Sequence, residues 1–490
     1  MDRKKGLLNV SVSIVSRVLF LAAALLVRRL LIQYLGNDVN GLNSLYTSII
    51  GMLAVAELGV GSAISYSMYK PIVEGDKEKT AALYGLYQRL YWIIGGIILV
   101  AGLAVIPFLP GMISDYSELT VNVHLNFGLV LVSVVLTYLY GAKTSLIEAY
   151  KDNYITIGIL TVCRLVQYGL QAAVLIMFRS FPLFLICQIA ETLLAWGLTE
   201  LAARKMHGDI LVLRIQVDQE TKNDIGRNIR AMMMHRFGTV MVNTVDSIII
   251  SAFVGVAVLG KYSNYALIAS VMTGTISLFF TPLVSIIGHL CAEGDREKIK
   301  RQFDRFYFLN YVLGVVFFLG YYAVIDQIVQ LFFGTGLEVS RTVSFIITLD
   351  GFIKFMRRSA LLFRDASGTF YYDRWKPIVE GIVNLGLSLL FVQVFPEDYR
   401  VAGVIAATII TSLLICHVVD PYVVYKHVFG RPVKEYWLRN YAYMGLFVVA
   451  LFLLTYLDSG RLVANGLIAL GISAVVLGMV TVVDRAFVRC

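Results

Sequence analysis

Charge is scarce in this chain. Asp, Glu, Lys and Arg make up 15% of its 490 residues, where a soluble domain carries about 25%. Together with 58% hydrophobic residues and a mean hydropathy of +0.75, that shortfall excludes a soluble enzyme and a disordered chain. Cysteine is sparse as well. Cys163, Cys187, Cys291, Cys416 and Cys490 form no close pair and no metal-type spacing, so neither a disulfide framework nor a cysteine metal site is expected. Only six His are present and none forms an HExxH pair, so no metal is expected. No GxxxxGK[ST] phosphate loop occurs, so the chain is not an ATPase by itself, and no cofactor is expected. A potassium-filter motif of the TVGYG kind is missing. GVG at 59–61 lacks the strand–turn–helix setting of a dinucleotide site and reads as a close-packing or bending point.

Long apolar runs fill the chain instead. They cover about 8–34, 42–69, 85–109, 121–142, 153–178, 182–203, 231–254, 262–289, 306–333, 342–363, 377–395, 401–425, 440–457 and 462–484. Each is long enough to cross a hydrocarbon core of about 30 Å. Backbone polar groups must be satisfied within the bilayer, which leaves helices or a closed barrel. Barrel strands are about 10 residues long and alternate in polarity, and these runs do neither. The expectation is an all-α polytopic membrane protein with about fourteen transmembrane helices. The start, MDRKKGLLNV, resembles the basic end of a signal peptide, but the span that follows contains Arg17, Arg28 and Arg29. It reads as a retained first helix.

The loops give the orientation. With the N-terminus in the cytoplasm, the inside segments hold 29 Lys and Arg, and the outside loops hold Arg179, Lys261, Arg341, Arg400 and Arg461. This positive-inside bias runs along the whole chain. It puts both termini in the cytoplasm, and it accounts for the net charge of +9 without a nucleic-acid partner. The outside loops are short, as in GNDVNG at 36–41 and RSF at 179–181.

An internal repeat orders the helices. Residues 34–79 align without a gap on 253–298, at an offset of 219. Gly36, Val39, Gly41, Ser44, Tyr46 and Ile49 meet identical residues at 255, 258, 260, 263, 265 and 268, and EGDKEK at 74–79 meets EGDREK at 293–298. Upstream, Arg17 meets Arg236. An offset of six helices keeps the same orientation, so the halves are parallel repeats about an axis along the membrane normal. The expected organisation is a six-helix bundle at 1–203, a cytoplasmic linker at 204–230, a second six-helix bundle at 231–425, and an appended helix pair at 426–490. Two such bundles suit a transporter with a central cleft.

Charged residues inside the spans mark candidate functional positions, because they are costly in lipid and normally face a bundle interior or a water-filled cavity. Arg28, Arg29 and Asp326 lie near span ends, where snorkelling explains them. Arg164 and Glu191 suit either a structural pair or a cavity. The densest signal is Asp350, Lys354, Arg357 and Arg358, spaced so that three or four share one helix face. It reads either as an Asp350–Lys354 pair packed against a neighbour or as a cationic cavity wall. Arg17, Arg236, Lys354, Arg357, Arg358 and Arg164 are the candidates for binding an anionic cargo, since Arg and Lys both suit phosphate. Glu57, Asp246 and Asp350 are candidate counter-ions or coupling sites.

The segment RRLLIQYLGNDVNGLNSLYTSIIGMLAVAELGVGSAISYSMYKPIVEGDKEK at 28–79, with its echo at 253–298, resembles bacterial polysaccharide transporters, the O-antigen and capsule repeat-unit flippases. These belong to the multidrug/oligosaccharidyl-lipid/polysaccharide exporter superfamily. The resemblance implies two bundles around a cavity in the bacterial cytoplasmic membrane. It implies an undecaprenyl-pyrophosphate-linked oligosaccharide as cargo, moved between leaflets with no covalent change. Coupling to H+ or Na+ and partnership with a polysaccharide polymerase and assembly proteins would follow. Lipid II flippases, cation-coupled multidrug antiporters and a non-transporting scaffold of envelope assembly are the alternatives.

Overall fold

The computed structural model describes residues 2–57, 60–213, 215–219, 221–223, 225–226, 240 and 244–488. Among these the protein is all helix, with no strand. The first part of the chain forms α1 (Asp2–Leu35), α2 (Asn37–Leu53), α3 (Val60–Glu74), α4 (Lys77–Val105), α5 (Val123–Thr137), α6 (Gly141–Ala149), α7 (Asn153–Met177) and α8 (Phe181–Val212). Then come α9 (Thr244–Phe253), α10 (Val256–Glu293), α11 (Arg296–Phe333), α12 (Arg341–Met356) and α13 (Arg358–Ala366). The chain ends with α14 (Lys376–Val394), α15 (Arg400–Thr411), α16 (His417–Val424), α17 (Lys434–Tyr456) and α18 (Leu462–Val488).

Ten helical stretches among the described residues are long and apolar enough to cross a membrane, from Ser11–Leu35 to Leu462–Thr481. The protein is a multi-pass membrane protein. The other four apolar runs are helical too, each with its own feature. The run at 42–69 is interrupted by a tighter 3-10 turn at Ala54–Glu57 between α2 and α3. The run at 231–254 is described continuously only from Thr244, as α9. That at 262–289 lies within α10, and that at 342–363 divides at Arg357 between α12 and α13.

The chain forms two compact units, Met1–Gly260 and Lys261–Cys490. In the first, α1 lies along α7, and Thr161 donates to Ser16 at 2.7 Å. Tyr46, Tyr87, Phe127 and Phe181 are fully buried, and the Tyr46 hydroxyl donates to the Val123 carbonyl at 3.1 Å. In the second, α11 presents Phe303, Tyr307, Tyr311, Phe318 and Tyr322 from one face, all fully buried at the three-to-four spacing of a helix. Tyr307 donates to Asn440 at 2.9 Å, Tyr311 to the Tyr443 carbonyl at 3.0 Å, and Tyr322 shares a 2.8 Å bond with Thr455. Each such bond between helices in a bilayer is worth about 0.6 kcal/mol. Phe352 stacks on Phe447 with centroids 3.6 Å apart. These hydrogen bonds fasten α17 to α11, and α18 packs directly along α11. Trp92, Trp196 and Trp375 are exposed, in contrast to these tyrosines.

At the other end of the second unit, Arg341 bridges Asp326 at 2.9 Å and Asp458 at 3.6 Å. Burial works against ionisation of Asp458. The Gly460 N–H, the Asn465 side chain and the Arg341 charge outweigh it and hold this carboxyl below the ordinary carboxylate range.

The repeat is visible as repeated geometry. Gly75 and Gly294, both with positive φ (72° and 78°), end the helices before two equivalent turns, a conformation only glycine adopts without cost. Asp76 and Asp295 then cap α4 and α11, accepting from the N–H of Lys79 at 2.8 Å and Lys298 at 3.0 Å. A second equivalence is a contact. A Cβ at Gly41 would lie 1.8 Å from the Val256 carbonyl oxygen, and one at Gly260 would lie 2.5 Å from that of Asn37. Residues 41 and 260, and 37 and 256, are each 219 apart, so the start of α2 and the start of α10 cross reciprocally. Asn37 and Asn40 fasten the crossing by donating to the carbonyls of Ala257 at 2.6 Å and Gly260 at 3.2 Å.

Gly41→Leu and Gly260→Leu are each expected to lower the melting temperature of the purified protein by several degrees, since overpacking costs about 1–3 kcal/mol. Gly128→Leu, where nothing lies within 4 Å of the added Cβ, should leave the melt in place.

Candidate functional site

In the first unit, Arg17 sits inside the Ser11–Leu35 span on an exposed stretch of α1 that includes Val15, Val18 and Leu19. Among the described residues it makes no hydrogen bond or ion pair. Arg28 is held by neutral partners, donating to Asn40 at 2.9 Å and Ser44 at 3.4 Å. Arg164, half exposed, lies 3.7 Å from the buried Glu191 and donates to Gln167 at 3.3 Å. Glu57 closes the 3-10 turn after α2 and accepts from Tyr138 at 2.7 Å and Tyr91 at 3.1 Å. Tyr91 is joined to Tyr87, and Tyr87 to Ser145 on α6. Tyrosine hydroxyls thus take the place of a cationic partner for Glu57. Asp246 is buried on α9. Arg236 lies outside the described residues.

The charge stripe of α12 and α13 lies in the second unit. Asp350 and Lys354 pair within α12 at 2.7 Å. Arg357, at the junction of the two helices, reaches Glu380 on α14 at 3.2 Å and Asp420 on α16 at 3.1 Å. Asp420 is fully buried and is also paired with Lys376. Arg364 pairs with the buried Asp373 at 2.6 Å and with Asp365 at 2.8 Å. Cations and acids therefore balance within one buried network, as a low-dielectric interior demands. Two widened, π-type turns, Ser412–Cys416 and Tyr425–Phe429, flank α16 and bring Asp420 and His417 inward. His417 bonds the Ile353 carbonyl at 3.0 Å and Asn440 at 3.3 Å, so α16 is fastened to both α12 and α17.

Arg358 follows Arg357 directly and has a different environment. No acid pairs with it among the described residues. Its guanidinium lies 5.4 Å from the Phe280 ring centroid and 5.2 Å from that of Phe355, and its buried Nη1 has no hydrogen-bond partner. Cation–π contacts hold the group in place and leave its donors available.

Of the candidates named from sequence, the structure brings Arg357 and Arg358 side by side but partners only the first. Lys354 and Asp350 pair with each other. Lys376, Glu380 and Asp420 were missed as members of the network. The available signal was a lone acid in each of two apolar runs, 377–395 and 401–425.

No protein-family model matches the chain, and no curated protein matches it. Solved structures do. The lipid II flippase MurJ in an inward closed conformation superposes with a TM-score of 0.65 at 13% identity, covering 99% of this chain and 100% of that one. An inward-facing MATE-family multidrug resistance transporter of the MOP superfamily gives 0.63 at 16% identity, covering 81% of this chain and 92% of that one. The chain has the MATE and MurJ transporter fold. At these identities the likeness concerns the fold alone. Among the described residues no three His, Cys, Asp or Glu side chains group as metal ligands.

Asp420→Ala leaves Arg357 and Lys376 short of an acid and is expected to destabilise the protein by about 3–5 kcal/mol, the cost of breaking a buried pair. It would appear as loss of the monodisperse peak in detergent. Arg358→Gln, which removes no ion pair, should retain that peak.

Proposed function

We propose that the protein is a flippase that moves an undecaprenyl-pyrophosphate-linked oligosaccharide repeat unit across the bacterial cytoplasmic membrane for surface polysaccharide synthesis. The observation that carries this reading is that Arg17 in one unit and Arg358 in the other each lie in an apolar segment with no acid partner among the described residues. A cation without an acid in a membrane segment calls for water or an anionic ligand. Arginine presents a fork of donors that matches phosphate oxygens. The neighbouring Lys354, Arg357 and Arg164 all have acids of their own, which keeps the free donors few. The diphosphate is then captured by charge, the sugars stay in an aqueous cavity, and the polyprenyl tail stays in lipid. Net movement requires that affinity for the diphosphate differ between the inward- and outward-open states. No covalent bond changes. Glu57 and Asp246 are the candidate sites for a coupling H+ or Na+, and the polysaccharide polymerase and assembly proteins are the expected partners downstream.

One observation favours a second reading. The MurJ likeness extends over 99% of this chain, and the MATE likeness over 81%. Lipid II is therefore the alternative cargo. It shares the polyprenyl diphosphate, so the same arginines suit it.

Deleting the gene in its host and quantifying polyprenyl-linked intermediates by mass spectrometry separates the two. Accumulation of a complete oligosaccharide repeat unit on the cytoplasmic side, with loss of surface polymer, supports the repeat-unit flippase. Accumulation of lipid II instead supports the alternative. Complementation with Arg17→Gln or Arg358→Gln at normal protein level is expected to cut surface polymer at least tenfold. Full export by both variants rules out the arginine-based reading.

A further inference from the structure

A groove of about 610 Å³ runs between α10, α11 and α13 in the second unit, within the size range of ligand pockets. Its walls are apolar: Ile286, Ile287 and Leu290 of α10, Phe306 and Leu309 of α11, and Phe363 of α13. Toward the 294–295 turn that joins α10 to α11 the lining becomes polar, with His289, Glu293, Lys298, Gln302 and Arg305. Arg305 lies nine residues along α11, roughly 13 Å from its start at 1.5 Å per residue.

The acids at this end are all engaged. Lys298 holds Glu293 at 2.6 Å, and Arg431 holds Glu297 at 2.5 Å. Asp304, next to Arg305, is taken by Lys300 at 2.6 Å and Arg439 at 3.1 Å. Asp295 caps α11. Arg305 is exposed and has no hydrogen bond or ion pair among the described residues. Each nearby acid is engaged by another cation or, for Asp295, by the N-terminus of α11, so among the described residues this guanidinium stands at the mouth of an apolar groove without an acid partner. His289 adds a ring N–H on the facing helix.

We propose that this groove binds an anionic phospholipid of the leaflet at the 294–295 end of the helices. The headgroup phosphate lies on Arg305 and His289, and one acyl chain lies along Ile286, Ile287, Phe306 and Leu309. A net negative headgroup is selected over a zwitterionic one because Arg305 has no acid to offset. Basic pockets between membrane helices recognise lipid headgroups by this chemistry. The assignment concerns a resident lipid and is independent of the transported cargo.

The test uses the full-length protein in nanodiscs containing equal amounts of phosphatidylglycerol and phosphatidylcholine, with co-purifying lipid counted by native mass spectrometry. The wild-type protein is expected to retain phosphatidylglycerol in preference by about fivefold, the worth of roughly one basic residue beside an anionic lipid. Arg305→Gln should remove the preference. Ile287→Trp, which fills the groove, should lower retention of both lipids. Each variant is accepted only with a wild-type melting temperature, and Arg305→Lys serves as a folded replacement that keeps the charge and the preference. Equal retention of the two lipids by the wild type, or an undiminished preference in Arg305→Gln, overturns the proposal. Displacement of phosphatidylglycerol by an equimolar polyprenyl phosphate, lost in Arg305→Gln, makes the groove a cargo site and overturns the phospholipid assignment as well.

Discussion

A charge within a bilayer needs an opposite charge, a ring face or water. Much of the second unit is arranged around that requirement. Arg357 and Lys376 converge on Asp420, Arg364 on Asp373, and Arg341 on Asp326. Each junction ties together elements that hydrophobic contact alone would leave free to slide, since lipid tails are as apolar as the helix faces. The network thus serves position more than affinity, a role compatible with the modest net worth of buried ion pairs. Against that balanced background the few groups without an acid, Arg358 above all, acquire meaning.

Tyrosine does the corresponding work for neutral groups. Seven of the twelve largest fully buried side chains are tyrosines. Their rings fill the helix interfaces, and several hydroxyls reach across to a carbonyl or an amide of another helix. The same residue type satisfies Glu57 without a cation. Burial of polar groups is tolerated because partners are supplied locally, which lets α11 be polar in part and still lie inside the bundle.

Much of the architecture was legible in the sequence because membrane helices advertise themselves by length and composition. All fourteen apolar runs are mainly helical over their described residues. The EGDKEK and EGDREK match foretold two turns with the same glycine conformation and the same aspartate cap. The interruptions were not legible. The 3-10 turn at Ala54–Glu57 and the division at Arg357 both occur within apolar runs, where local composition carries no break signal. The candidate site was legible as a stripe, not as a set of roles. Arg357 and Arg358 are neighbours with the same chemistry, and their difference comes from Glu380 and Asp420, 23 and 63 positions away. No periodicity links positions so far apart. Lys376 falls just outside the apolar run at 377–395, yet it is buried in the network. Arg236 lies outside the described residues, so its equivalence to Arg17 stands on the alignment alone.

The division of labour between aromatic side chains has an optical consequence. The exposed rings of Trp92, Trp196 and Trp375 contrast with a tyrosine core sealed from solvent and lipid. Emission from these three of the four indoles therefore samples the boundary of the protein, where a quencher outside it has access. The fully buried phenols are out of reach of such a quencher, whereas Tyr371, Tyr372 and Tyr456 share the exposed surface. Quenching thus reports on the surroundings of the helices and says little of their packing.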